Sequence, residues 1–351
     1  MMPDINELID FGRANDCSDI HLTADLNPVF RKNGVLAQGP YTMSQHEIRD
    51  MIITLMDERE RDKIKHGKDA DFCYVTPTGL RQRVNIYRQQ GHLAAAVRLL
   101  NDKIPTFEEL KLPPVLKKLS SEPRGLILVT GPTGSGKSTT LAAMLDFINT
   151  NFQKHILTIE DPVEYRHIHK KCMVHQREVE EDVESFESAL RSALREDPDV
   201  ILVGEMRDYE TISAAVTAAE TGHLVLSTLH TIGAANTIDR IIDVFPSHSQ
   251  QQIRTQLATT LKGVITQQLV PLATGEGRMA AHEIMIGTDA VLNMIRENKT
   301  HQLASVMQTG AQEGMHTLNS NLAKLARDGL ISFDTGYEWA SDKSEYNQYF
   351  G

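Results

Sequence analysis

The sequence is poor in cysteine, and the few cysteines it has are far apart. Among 351 residues there are three, Cys17, Cys73 and Cys172. An odd and scattered set supplies neither a disulfide framework nor a paired C-x-x-C metal site. The composition therefore favours a reducing compartment, which we take to be the cytoplasm.

Long apolar runs are also missing. No run approaches the roughly 18 residues that a membrane-spanning helix needs. The opening residues, Met-Met-Pro-Asp-Ile-Asn-Glu, lack the basic and apolar regions of a signal peptide. We therefore expect no membrane span, so any association with a membrane must go through a partner.

Positive charge is in short supply. The 36 Lys and Arg residues are outnumbered by 47 Asp and Glu, which gives a net charge of −11. This balance argues against direct nucleic-acid binding, because affinity for nucleic acid is built from clustered Lys and Arg.

A hydrophobic fraction of 40% with 24% charged residues excludes a wholly disordered chain and a multi-span membrane protein.

The length predicts two domains, at roughly 100 to 200 residues each. Mixed helical and strand patterns up to residue 105 predict a small α+β domain, which includes a capping box at Ser44 and Glu47. Closely spaced prolines then predict a linker or hinge over residues 106–120.

The rest of the chain alternates apolar strand-like runs with helical patterns. This alternation predicts an α/β fold with a mostly parallel sheet and helices on both faces over residues 121–285. The runs are Gly125–Thr130, His155–Ile159, Val200–Val203 and Leu224–Leu229. Helical patterns dominate residues 286–340, and the polar composition of residues 341–351 predicts a disordered tail.

One segment fits the phosphate-binding pattern G-x-x-x-x-G-K-[ST]. It consists of Gly131, Pro132, Thr133, Gly134, Ser135, Gly136, Lys137 and Ser138. An apolar strand pattern precedes it, and from Thr139 the pattern is that of a helix whose N-terminus would face the phosphates. We predict an ATP site in which loop amides wrap the phosphates, Lys137 neutralises them and Ser138 ligates Mg²⁺. The alternative is a plain glycine-rich turn.

Two strand ends carry acids suited to phosphoryl transfer. Glu205 ends the run that begins at Val200, and Glu160, Asp161 and Glu164 follow the run that begins at His155. In an α/β sheet these ends present groups to the ligand. The acids are therefore candidates for holding the metal's water shell and for orienting the attacking water; the alternative is solvated loop acids or helix caps.

Two histidines flank the fourth run, at opposite ends of a strand of that length. His230 follows the strand and is a candidate sensor of the γ-phosphate, with Thr228 a weaker one. His223 precedes the strand and is either a structural histidine or a nucleotide ligand.

In this order, the four blocks resemble the secretion ATPase superfamily, namely a P-loop, an aspartate box, a Walker B segment and a histidine box. Finer features are similar to its PilT-like pilus retraction branch. They are Ser18-Asp19-Ile20-His21-Leu22, Ala193 to Asp199, Gly204-Glu205-Met206-Arg207-Asp208, Ala219 to His223, and Ala281-His282-Glu283-Ile284-Met285. The resemblance covers nearly the whole chain.

One segment departs from that branch. Residues 290–297 occupy the place of a segment AIRNLIRE that the family links to retraction. Ala290, Asn293, Ile295, Arg296 and Glu297 are kept, whereas Val291, Leu292 and Met294 differ. This supports a retraction-type motor and leaves open a paralogue with another partner.

The resemblance implies a RecA-like P-loop NTPase core over 121–285, a PAS-like N-terminal domain over 1–105 and C-terminal helices. It also implies a homo-hexamer that hydrolyses ATP with Mg²⁺ to retract type IV pili. Such a motor would engage an inner-membrane platform protein at the cytoplasmic face of the inner membrane.

For individual residues, the resemblance implies that arginines of the N-terminal domain reach phosphates bound between the two domains. The candidates are Arg81, Arg83 and Arg98. Glu164 would be the general base and Glu205 would act on the metal's water shell, although the sequence does not separate Glu164 from Glu160. Two alternatives stay open: a type II or type IV secretion or DNA-transfer motor, and a nucleotide switch without turnover.

Overall fold

The computed structural model describes residues 3–32, 34–100 and 103–351. The chain divides into two compact units, residues 1–103 and 104–351.

The N-terminal unit packs three helices on a six-stranded antiparallel sheet. The helices are α1 Ile5–Ala14, α2 Gln45–Leu55 and α3 Glu58–Lys65. The strands are β1 Asp19–Leu22, β2 Val29–Lys32, β3 Val35–Gln38, β4 Ala70–Val75, β5 Arg81–Gln89 and β6 His92–Leu99, in the sheet order β3-β2-β1-β6-β5-β4.

Local sequence signals explain much of this unit. The predicted capping box forms at the start of α2, where the Ser44 amide donates to the Glu47 carboxylate at 2.6 Å. Alternation along β5 buries Val84 and Ile86 in the core with the helices and turns Arg81 and Arg83 to the other face, as the pattern predicts.

The second unit is built on a seven-stranded sheet. Its strands are β7 Gly125–Thr130, β8 His155–Glu160, β9 Met173–Glu178, β10 Val200–Val203, β11 Leu224–Leu229, β12 Leu261–Pro271 and β13 Arg278–Ile286. The order is β13-β12-β7-β11-β10-β8-β9. Neighbouring strands are parallel except for β12 and β13, which form an antiparallel pair at one edge of the sheet.

Helices cover both faces of this sheet, and each face has its own apolar core. The helices are α4 Val115–Ser120, α5 Lys137–Asn151, α6 Phe186–Ala193, α7 Tyr209–Glu220, α8 Ala234–Asp243, α9 Gln250–Thr260, α10 Asp289–Arg296, α11 Leu303–Thr309, α12 Leu318–Arg327, α13 Phe333–Trp339 and α14 Lys343–Gln348. The predicted fold class is confirmed: a mostly parallel α/β core, an antiparallel N-terminal sheet and C-terminal helices.

The structure differs from the predicted linker at 106–120. Compact packing already resumes at Ile104. Phe107, Leu112, Leu116 and Leu119 are buried in the core beneath α5, and α4 lies within the same stretch. The prolines interrupt regular secondary structure, but the segment is not a flexible linker. The apolar residues between the prolines pack against the second unit and hold the segment in place.

The predicted disorder of residues 341–351 is wrong. Asp342 caps α14 by accepting from the amides of Ser344 and Glu345. Tyr346 is fully buried in a small C-terminal core with Leu322 and Ile331. Burial of this one aromatic side chain orders the segment in spite of its polar composition.

Within the three described ranges, no helix is both long and apolar enough to cross a bilayer.

Candidate active site

The predicted site residues of the second unit gather at one edge of its sheet. Because β7, β8, β10 and β11 run parallel, the loops that follow them emerge side by side. We call this the carboxyl edge, defined by the strand ends Thr130, Glu160, Val203 and Leu229. The opposite ends of these strands form the amino edge.

The phosphate-loop segment connects β7 to α5, as predicted. Gly131, Gly134 and Gly136 have positive φ of 137°, 76° and 88°, which glycine adopts without strain. A Cβ at Gly131 would lie 2.2 Å from the carbonyl oxygen of Gln267, so a side chain there is excluded. The Lys137 ammonium donates to the carbonyls of Gly131 (2.9 Å) and Pro132 (3.0 Å).

A buried glutamine that the sequence reasoning missed holds this loop from behind. The Gln267 amide donates to the Ser135 carbonyl at 2.7 Å and accepts from the Thr140 hydroxyl at 2.8 Å. Its neighbour Thr266 hydrogen-bonds Thr130, at the end of β7, at 2.9 Å. Nothing in the local sequence marks these residues, because the contacts span more than a hundred positions.

Two of the predicted acids act electrostatically on Lys137. Burial lowers the pKa of the Lys137 ammonium, and the charges of Glu164 and Glu205 oppose that shift. The charges of both acids therefore act on the lysine of the phosphate loop, although Glu164 and Glu205 are some forty positions apart in the chain.

Glu164 lies on an extended segment fastened to β9. Gln176 accepts from the His167 amide at 2.7 Å and donates to the Tyr165 carbonyl at 2.8 Å. Side chains alternate along the segment, with Tyr165 buried and Glu164 exposed. The Tyr165 hydroxyl hydrogen-bonds Thr139 in the first turn of α5 at 2.8 Å, which ties the segment to the phosphate loop.

Glu160 is held differently. Its carboxylate accepts from the Thr158 hydroxyl at 2.7 Å and from the Gln176 amide at 3.2 Å. These bonds occupy Glu160 within the sheet, whereas Glu164 is turned outward and interacts with Lys137. The structure thus distinguishes the surroundings of two acids that the sequence left equivalent.

Glu205 and His230 form a short polar chain to the phosphate loop. One Glu205 oxygen lies 2.7 Å from Nε of Arg207 and the other 3.5 Å from Nε2 of His230. His230 Nδ1 lies 3.5 Å from the hydroxyl of Thr133. His230 therefore lies beside the phosphate loop, and its role as a sensor of the terminal phosphate stays a prediction.

The other two candidates from the histidine segment have structural partners. The Thr228 hydroxyl donates to the Gly204 carbonyl at 2.6 Å and so supports the strand end that carries Glu205. His223 lies at the amino edge, where its Nδ1 hydrogen-bonds the Ala218 carbonyl at 2.9 Å. Within one chain His223 lies at the opposite end of β11 from the phosphate loop, and its role as a nucleotide ligand stays a prediction.

Glu283 is a further residue without a sequence-based prediction. Its carboxylate accepts from the amide of Ala234, the first residue of α8, at 2.7 Å. Burial raises the pKa of Glu283. Since α8 follows the loop after His230, this contact fixes where that loop ends.

A cavity of about 340 Å³ opens beside the first turn of α5. This volume is in the range of small-molecule sites. The wall includes Gly136, Thr139, Leu110, Leu272 and Arg278. Its apolar side chains and its position next to the phosphate loop suit the nucleoside end of a nucleotide.

Two of the three candidate arginines of the N-terminal unit are in ion pairs there. Arg83 contacts Asp71 at 2.6 Å and Arg98 contacts Asp19 at 3.0 Å. Arg83 and Arg98 are also directly opposite in the pairing of β5 with β6. Arg81 lies on the same face as Arg83, and a role for the three at phosphates stays a prediction.

A metal at this site would depend on few protein ligands. The described residues contain no group of three or more His, Cys, Asp or Glu placed to hold an ion. Ser138 is exposed at the start of α5, and Glu205 is the nearby acid. This donor set fits Mg²⁺, which is commonly bound by one or two protein oxygens together with substrate phosphates.

Fold and site together define a P-loop nucleotide-binding protein of the α/β class. Residues 14–276 match a protein family described as type II/IV secretion system protein. The chain belongs to this family.

Two relatives and one solved structure point to the same kind of protein. The chain is 50% identical to the type IV pilus retraction ATPase PilT of Pseudomonas aeruginosa, over 96% of this chain and 98% of that protein. It is 50% identical to a twitching motility protein of Neisseria gonorrhoeae, over 83% of this chain and 78% of that protein. The crystal structure of the pilus retraction motor PilT with bound ADP superposes with a TM-score of 0.91, at 45% identity and 99% coverage of both chains.

Proposed function

We propose that the chain is a Mg²⁺-dependent ATPase motor that retracts type IV pili. The observation that carries the proposal is the geometry of the carboxyl edge, where Lys137 lies in the phosphate loop and Glu205 reaches that loop through His230 and Thr133. Identity of 50% to a pilus retraction ATPase over nearly the full length of both chains supports the biological role.

In this proposal the loop amides of Gly134 to Ser138 bind the phosphates of ATP, and Lys137 neutralises the charge that develops on them. Bound Mg²⁺, held by Ser138 and Glu205, would supply further charge neutralisation on the phosphate oxygens. His230, fixed between Glu205 and Thr133, donates to the terminal phosphate.

Glu164 is the proposed general base. It accepts a proton from the water that attacks the γ-phosphorus, and the bond to the oxygen shared with ADP breaks. Glu160 is less suited, since Thr158 and Gln176 already donate to its carboxylate. Glu160 instead holds the strand end in place.

The proposal extends to assembly and location. We propose a homo-hexamer that acts at the cytoplasmic face of the inner membrane on a platform protein of the pilus machinery. The helix α10 supports this role. Its departures from the retraction-linked segment, Val291, Leu292 and Met294, are buried or half-buried, whereas the retained Asn293 and Arg296 are exposed.

The function is tested in cells and with purified protein. A deletion strain should lose twitching and carry excess surface pili, and complementation with Glu205→Gln should fail. The matched control is Glu210→Gln, an exposed acid in the first turn of α7, which should complement fully.

A secretion or DNA-transfer defect with normal pili would contradict retraction in favour of another motor of the family. Purified wild-type protein should hydrolyse ATP only with Mg²⁺ and elute as a hexamer with nucleotide. A monomer without turnover would instead indicate a nucleotide switch.

A further inference from the structure

The second unit, residues 104–351, has another cavity of about 670 Å³, which adjoins the cavity beside α5. The two share a wall made of Lys111, Leu112, Met279 and Ala280. The far wall is formed by His282 of β13, the turn at Gly314–His316 and the helix α12. We call this the His282 cavity.

Two histidines in its wall have unused hydrogen-bonding capacity. His282 is 3% exposed, and its Nε2 has no hydrogen-bond partner among the described residues. The Nε2 of His316 is also buried and lacks a partner in the part of the chain that the structure describes. A buried polar atom without a partner is unfavourable, so a ligand that hydrogen-bonds these nitrogens would be stabilised.

The electrostatics of the cavity favour an anion. Burial, followed by the charge of His316, lowers the pKa of His282 to about 3. Burial, followed by the charge of Lys324, lowers the pKa of His316 to about 4. Both rings are therefore neutral at pH 7, and a neutral imidazole has one N–H and one acceptor nitrogen. His316 uses its N–H on backbone carbonyls, so its Nε2 can accept from a protonated oxygen of a ligand, whereas Nε2 of His282 can carry the N–H that donates to an anionic oxygen.

Cationic side chains complete the wall. Lys111, Lys324 and Arg327 line the cavity, and Asp328 is the one acid among the described residues that line it. None of these three cations forms an ion pair with another described residue. In a chain with a net charge of −11, three unpaired cations around one cavity represent a local excess of positive charge.

We propose that the His282 cavity is a binding site for a small anion that carries phosphate or carboxylate oxygens. Lys324, Arg327 and Lys111 pair with the anionic oxygens, and the two imidazoles hydrogen-bond the buried end of the ligand. Because the His282 cavity shares its Lys111–Leu112 and Met279–Ala280 wall with the cavity beside α5, where we propose that the nucleoside of ATP binds, an anion bound there changes the affinity for ATP.

Calorimetric titration of the full-length protein tests the binding. Inorganic pyrophosphate and citrate are the two probes, with free Mg²⁺ held constant and ADP saturating so that the phosphate loop is filled. We expect binding of at least one probe, weakened about tenfold in Lys324→Ala, as for loss of one charge-assisted hydrogen bond. Lys324 is exposed, so the variant should fold.

Lys171→Ala is the matched control, because Lys171 is an exposed lysine of the same unit that does not line the cavity. Equal weakening in both lysine variants, or no binding of either probe, would overturn the proposal. A response to one probe only identifies phosphate or carboxylate as the preferred group. His282→Gln should also weaken binding, and Arg327→Ala provides a second surface variant if His282→Gln does not fold.

The coupling is tested separately by the KM for ATP. The active probe should shift the KM of the wild type, and the shift should be absent in Lys324→Ala. This second readout rests on the proposed ATPase activity, whereas the titration does not, so failure of the one is distinguishable from failure of the other.

Discussion

The two edges of the seven-stranded sheet carry similar polar residues that have different roles. At the amino edge, the side chains of His155, His223 and Asp199 hydrogen-bond backbone groups. At the carboxyl edge, Glu164 is exposed, and the charges of Glu164 and Glu205 act on Lys137 of the phosphate loop.

At the amino edge, polar groups are hydrogen-bonded within the protein. The Asp199 carboxylate accepts from the His155 amide at 2.8 Å, and the His155 ring lies 3.1 Å from Nδ1 of His175. These bonds join neighbouring strands and leave little capacity for a ligand. Polar residues at the end of a strand therefore indicate a site only where their hydrogen-bonding capacity is not already used.

The largest contrast is expected for the two lysines near these edges. Lys137→Ala should lower kcat roughly a thousandfold, because it removes the positive charge facing the phosphates. Lys154→Ala at the amino edge should leave kcat unchanged, since Lys154 only covers the Phe152 ring, at 5.4 Å. Steady-state ATPase assays measure kcat for both variants. Comparable losses of kcat would contradict the claim that only the carboxyl edge is catalytic.

The histidines at either end of β11 provide a second contrast. His230→Ala should lower kcat about tenfold, the size of one lost hydrogen bond to the transition state. His223→Ala should reduce thermal stability, because His223 bonds the Ala218 carbonyl, with little change in the rate per assembled site. A larger rate loss for His223→Ala, with hexamer assembly intact, would show that the amino edge also takes part in catalysis.

Two buried amides offer the finest comparison. Gln267 holds the phosphate loop, whereas Asn149 bonds the Ile168 carbonyl and the Lys170 amide near the C-terminal end of α5. Gln267→Leu and Asn149→Leu should each cost about 1–2 kcal/mol of unfolding free energy. Only Gln267→Leu should raise the KM for ATP, by a few-fold. Equal KM values in the two variants would remove the proposed role of Gln267 in shaping the loop.

Local patterns predicted much of the molecule. The buried strands β7, β8, β10 and β11 are short apolar runs, and the phosphate loop is a contiguous motif between one of them and a helix. Because parallel strands end at the same edge, the placement of Glu205 and His230 beside that loop also followed from the strand assignments.

Features made by distant contacts could not be predicted. The hairpin of β12 and β13 supplies Gln267 and Glu283, whose partners lie far away in the chain. The difference between Glu160 and Glu164 depends on Gln176 of the edge strand β9, which bonds both segments. The prediction of disorder for residues 341–351 failed for the same reason. Tyr346 is buried by residues that are distant in the sequence, so its packing is visible only in the folded chain.

The most direct test of the account is the turnover of two matched variants, Glu164→Gln and Glu160→Gln, measured as kcat with saturating Mg-ATP. We predict that Glu164→Gln lowers kcat by about 10² to 10⁴ while ATP still binds, as for loss of a general base. Glu160→Gln should stay within a few-fold of the wild type. Near-normal turnover in Glu164→Gln, with a large loss in Glu160→Gln, would contradict the assignment and the geometry on which it rests.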